Sequence, residues 1–269
     1  MSVPLGVGIP VTVTLLPHAS TPPWIVSFGL AFPILTSIFI TSISVVVAYV
    51  SFKAYLHEGL PSVLYLGCGT LVFGCTSLMA SVLLGREGIN ISGTTFAMGA
   101  ALSAAFHLAC ALSTQSGGAP KPGNRYLSSL WIPVAFLCVV SVGAATLTGI
   151  LPPFYEVAKG TTTLGQAVLG VAAVSFAISS VVISNPISPS ASTVLHRYSM
   201  ALGATAAGVA GVILSDGDVQ ALSMRLGWAA LYIGGLLLLT SVLSAEKADG
   251  LPASGKGQGL SWARPRSKK

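Results

Sequence analysis

Seven runs of mainly apolar residues, each longer than 20, limit what this chain can fold into: 24–52, 60–84, 94–114, 128–151, 162–184, 194–215 and 220–245. The third, TTFAMGAALSAAFHLACALST, contains no charged side chain. A helix crossing the hydrocarbon core of a bilayer needs roughly 20 such residues. Within lipid the backbone polar groups must be satisfied inside the segment, which selects helices, and the runs lack the alternation of barrel strands. Composition agrees: 53% of residues are hydrophobic, only 7% are charged and the mean hydropathy is +0.82. A soluble domain carries about 25% charged residues. The expected fold is all-α, a polytopic integral membrane protein built as a bundle of seven transmembrane helices.

The connecting segments orient this bundle. Residues 1–23 hold no Lys or Arg, unlike the start of a secretory signal peptide, and read as an irregular extracytoplasmic lead-in, with Pro22-Pro23 just before Trp24. With the N-terminus outside, ten of the 13 basic residues fall on the cytoplasmic side: Lys53, Lys121, Arg125, Arg197, and six in the tail from Lys247 to Lys269. Arg86 and Lys159 remain outside. This bias predicts N-out, C-in, in the cell membrane. The tail, 246–269, is rich in Gly, Ser and charge without an apolar period, so disorder is expected, and its 24 residues are too few for a catalytic domain. The formal net charge of +6 comes mostly from it and points to anionic lipid headgroups. No nucleic-acid motif supports that other partner.

Inside the third span, Gly99, Ser103, His107 and Ala111 recur every four residues and share one helix face. Small residues at this spacing let helix backbones approach closely in lipid, so His107 belongs to a helix–helix seam. Ala204 with Gly208, and Ala207 with Gly211, make similar stripes in the sixth span. A buried imidazole is either a neutral group hydrogen-bonded to a Ser or Thr across the seam or a site for ligand, proton or metal chemistry. A b-type haem held by His107 and His196 is a further alternative, although no paired-His pattern repeats on two helices. His107 and Cys110, three residues apart, lack a third metal ligand. The four cysteines, Cys68, Cys75, Cys110 and Cys138, all lie within spans and read as small apolar packing groups.

At the outer face, Arg225 stands about a turn inside the seventh span, after Asp216 and Asp218 in the preceding loop. The loop LPPFYEVAKGTTT adds Tyr155, Glu156 and Lys159. These residues form either structural ion pairs or a shallow ligand pocket of mixed charge. Nothing in the pattern supplies a nucleophile–base pair, a phosphate-cradling loop or paired intramembrane carboxylates, so no enzymatic activity is expected.

Three stretches carry a resemblance: LYLGCGTLVFGCTSLMASVLLGREGINI (64–91), LPPFYEVAKGTTTL (151–164), and Asp216 through MRLGWAALY. Over about residues 28–245 the chain resembles the MASE3 family, seven-helix membrane sensor domains at the N-terminus of bacterial and archaeal signalling proteins. The family's polar positions in its first two spans fall near Pro33, Ser37, Thr76 and Met79, where this chain has lost them; Arg225 is the polar position that carries over. The resemblance implies a sensor or adaptor that passes a ligand or membrane state to a separate partner protein. An accessory subunit of a larger membrane complex is the alternative. Pro33 and Pro133 could kink the first and fourth spans, but a small transporter is disfavoured because seven spans do not divide into equal halves and intramembrane charge is nearly absent.

Overall fold

The computed structural model describes residues 31–86, 88–115, 130–156, 160–184, 193–215 and 222–250. Among them are seven helices: α1 (Ala31–Glu58), α2 (Pro61–Arg86), α3 (Ile89–Gln115), α4 (Trp131–Leu147), α5 (Thr163–Ser184), α6 (Thr193–Leu214) and α7 (Leu222–Gly250). A two-stranded hairpin, β1 (Tyr155–Glu156) and β2 (Gly160–Thr161), lies between α4 and α5. Six of the helices are long and apolar enough to cross a membrane, which makes this a multi-pass membrane protein. The exception is α4, whose 17 residues span about 26 Å, short of the roughly 30 Å hydrocarbon core.

Local chemistry sets the helix boundaries. Gly59 takes a left-handed φ of 72° and its N–H donates to Tyr55 O at 2.7 Å, ending α1. Pro61, which has no N–H to satisfy, then opens α2. Thr162 caps α5, its Oγ1 accepting from the Gly165 N–H at 3.2 Å. Two sequence expectations shift here. The first span does not end at 52, because α1 runs six residues further and carries Lys53 and His57 on helix; likewise α7 extends through 246–250, which had been assigned to a disordered tail. A helix has no reason to stop where the hydrocarbon does when the next residues still favour helix. Nor do the prolines break spans. Pro33 and Pro133 fall in the first turns of α1 and α4, where the N–H has no intrahelical partner to lose. The lead-in 1–23 and residues 251–269 lie outside the described residues.

Six helices close into a circle in the order α1, α2, α3, α5, α6, α7 and back to α1, while α4 packs outside it on α2 and α3. Small residues bring neighbours close: a methyl group on Gly99 would overlap Thr76 of α2, and one on Gly211 would stand 2.7 Å from Gly227 Cα of α7. Most seams also carry an interhelical hydrogen bond. Ser37 Oγ meets Ser81 Oγ at 2.5 Å between α1 and α2. Ser103 Oγ donates to Gly69 O at 2.8 Å between α3 and α2. Ser180 Oγ donates to Ser199 O at 2.7 Å between α5 and α6. Arg197 Nη1 donates to Ser244 Oγ at 2.9 Å between α6 and α7. Where α7 returns to α1, Tyr232 stacks on Phe39 with ring centroids 4.2 Å apart. Bonds of this kind contribute about 0.6 kcal/mol each in membranes. They act mainly by fixing register.

The end of α2, the start of α3, the hairpin, the end of α6 and the start of α7 share one end of the bundle, here the hairpin end; Lys53 and Arg197 belong to the far end. At its start α4 lies by Cys68 of α2, whose Sγ is 3.5 Å from Trp131 O; further along, Gly143 faces Met79. It therefore runs alongside α2 toward the hairpin end. As a result α1–α3 and α5–α7 run in the same senses, with α4 as the odd segment between them. With α4 outside the circle, the six remaining helices divide three and three.

Candidate functional site

At the hairpin end, inside the circle, is a cavity of about 130 Å³. Its wall takes Ser77, Ala80 and Ser81 from α2, and Gly93, Phe96 and Ala97 from α3. Leu169, Val212 and Trp228 close the opposite side from α5, α6 and α7. Phe154, Tyr155 and Thr161, from the hairpin and the residue before it, complete the lining. The Phe154 N–H donates to Thr94 Oγ1 at 3.2 Å and the Tyr155 N–H to Asn90 Oδ1 at 3.4 Å, which ties the strand to the start of α3. No charged side chain among the described residues lines this space. Ser81 is bonded to Ser37, but Ser77, 1% exposed, has no hydrogen-bond partner for its Oγ. Thr95 Oγ1 is the other buried hydroxyl in that state. Leaving such a group unpaired costs about 1–3 kcal/mol.

Below the cavity, aromatic rings form a continuous series through the bundle. Trp228 contacts Phe96 at 5.8 Å between centroids, Phe96 contacts Phe73 at 6.1 Å, and Phe73 contacts Phe176 at 6.3 Å. Phe176 then contacts His107 at 5.7 Å, and His107 contacts Tyr198 at 6.0 Å. Centroid separations of about 4.5–7 Å are those of attractive aromatic pairs. The series ends in a hydrogen bond, His107 Nδ1 to Tyr198 Oη at 2.7 Å, with Cys110 Sγ 3.6 Å from the same phenol oxygen. Since α3 and α6 are not neighbours in the circle, this bond braces it from the inside.

The sequence expectations meet this geometry unevenly. Gly99, Ser103 and His107 share a buried face, as their spacing predicts, and Gly208 and Gly211 pack on α7. The partner of His107 is a correction: it is Tyr198 of α6, not a Ser or Thr across the seam, because the imidazole faces the inside of the circle, where that phenol stands 2.7 Å away. His196 is exposed, two residues from Tyr198 and so turned away from His107, and the structure does not bring the proposed haem pair together. Groups of three or more metal-ligating side chains do not occur among the described residues. Tyr155 and Glu156 lie half-buried in β1, Tyr155 on the cavity wall. Asp216 and Asp218 lie outside the described residues; Arg225 is in the first turn of α7, beside the cavity residues Met224 and Trp228 in sequence, with its side chain outside the description. Ser37 bonds Ser81, Thr76 packs against Gly99 and Met79 against Gly143. Ser77, Phe96, Trp228 and Tyr198 were missed. Tyr198, a phenol inside an apolar run, was the one with a readable signal. No protein-family model, curated protein or solved structure matches this chain.

Proposed function

We propose that the chain is a membrane-embedded sensor or adaptor, of the kind its likeness to MASE3 domains implies, in which occupancy of the hairpin-end cavity is passed to a partner protein at the far end. The observation that carries this reading is the unbroken series of ring contacts from Trp228, on the cavity wall, to Tyr198 near the start of α6. Packed rings shift together, because a close-packed interior cannot absorb a displacement locally. In this reading α4 completes a seventh pass, the hairpin end faces outward, and the far end with its basic residues faces the cytoplasm at the plasma membrane. Arg225 stays a candidate rim residue at the mouth. The test needs no ligand. Filling the cavity with Gly93→Leu in nanodisc-embedded protein should change amide exchange at 193–200 as well as at 77–97, and adding Tyr198→Phe should suppress the distant change. A response confined to 77–97 would remove the sensor reading.

A second reading is favoured by the three-plus-three circle, since two three-helix halves running in the same senses match the arrangement of transporters built from parallel repeats. Uptake of a small solute into proteoliposomes, absent with empty liposomes, would select it.

A further inference from the structure

We propose that the α6–α7 seam at the far end holds the phosphodiester of one anionic phospholipid, with the Arg197 guanidinium as its ligand. The site is independent of the sensor reading, since it lies at the other end of the bundle from the cavity.

Arg197 is the third residue of the apolar span Leu195–Leu214, and Ser244 is the last of the span Leu222–Ser244. The guanidinium therefore stands where hydrocarbon gives way to headgroups. An arginine inside a span is costly unless it is paired, and this one is half-buried. Among the described residues its partner is a neutral hydroxyl, Ser244 Oγ at 2.9 Å. Ser244 in turn donates to Thr240 O at 2.6 Å, so its oxygen is held as an acceptor and fixes one edge of the guanidinium. The remaining N–H donors meet no carboxylate there: Glu156, the one acidic side chain among the described residues, is at the hairpin end. Glu246, two residues past Ser244 on α7, takes a helix position about 200° around from it, on the opposite face. A phosphodiester suits what is left, since a guanidinium edge bonds two of its oxygens at once. Basic groups between helix ends bind lipid headgroups in this way. The surroundings select a lipid over a free anion. Met200, about a turn deeper on α6, is 49% exposed, and Leu243, beside Ser244 on α7, is 38% exposed. That surface is one that acyl chains cover and water does not. Charge at the span's edge and apolar surface beneath it match the two halves of a phospholipid.

Native mass spectrometry of the full chain in detergent, titrated with phosphatidylglycerol or with zwitterionic phosphatidylcholine, reads this site. The first phosphatidylglycerol should bind about fivefold more tightly than the first phosphatidylcholine, a preference that needs no variant to fold. Arg197→Ala should remove that preference, and Arg197→Lys should restore only part of it, because an ammonium lacks the planar fork that grips two oxygens. Lys53→Gln, which removes an exposed charge on α1 at the same end, should change the first binding step by less than about twofold, since exposed charges are screened. Added inorganic phosphate should not displace the lipid. The proposal is overturned by equal binding of the two lipids, or by an Arg197→Ala protein that keeps the preference. A loss in Lys53→Gln as large as that in Arg197→Ala would also overturn it, as a general surface attraction. So would displacement by inorganic phosphate, which would make this a free-anion site, or a preference that rises severalfold in Glu246→Gln, which would make a carboxylate the partner of Arg197.

Discussion

His107 answers why so apolar a helix carries an imidazole. At 3% exposure it lies within the circle, beside Gly69, with Nδ1 on the Tyr198 phenol 91 residues away in sequence. A lipid-facing imidazole would have no group to offset its desolvation; here the offset is a single well-made bond. Removing the Tyr198 hydroxyl strands the imidazole, while removing His107 leaves the phenol only the weaker contact with Cys110 Sγ. His107→Ala and Tyr198→Phe should each lower thermal stability in detergent, and the two should be strongly non-additive, with a coupling of about 0.6–1.7 kcal/mol, the range of intramembrane hydrogen bonds. A double-mutant cycle that closes at zero would mean that the bond contributes only geometry.

Among the elements α4 stands apart. Ala135, Val139, Val142, Gly143 and Thr146 form its buried stripe at three- and four-residue spacing, toward α2 and α3. The opposite face presents Phe136, Leu137 and Val140, at 59%, 63% and 51% exposure. Such a face is stable only against lipid or another protein, since water would be penalised for each side chain. Val140→Arg, near the middle of α4, should therefore oppose insertion by about 2.5–3.5 kcal/mol in a glycosylation-reporter assay of the isolated segment. An unchanged inserted fraction would place that face in an aqueous setting.

For the whole molecule the decisive quantity is the distribution of charge between its two ends. Lys53 and Arg197 are at the far end, and α7 carries the backbone of Lys247 in the same direction. The charge bias of the sequence predicts that this end is cytoplasmic, so a periplasmic-only reporter such as alkaline phosphatase should be silent after Lys269 and active after Gly88, in the α2–α3 turn. Activity after Lys269 would invert the molecule and carry the cavity to the cytoplasmic face.

What the sequence determined by itself was everything governed by one segment and its solvent. The existence of six long apolar helices was legible, because lipid demands a self-satisfied helix wherever apolar residues run long enough. The stripe Gly99, Ser103, His107 was legible too, because helical spacing alone puts those residues on one face. The exclusion of α4 from the circle was not legible. Its composition is as apolar as that of its neighbours, and only the packing of small residues elsewhere leaves it no place inside. The choice of Tyr198 over a nearby Ser or Thr, and the meeting of Ser77, Phe96 and Trp228 around one space, depend on how helices far apart in sequence rotate against one another. No single segment encodes that rotation; it follows from fitting all the faces together at once.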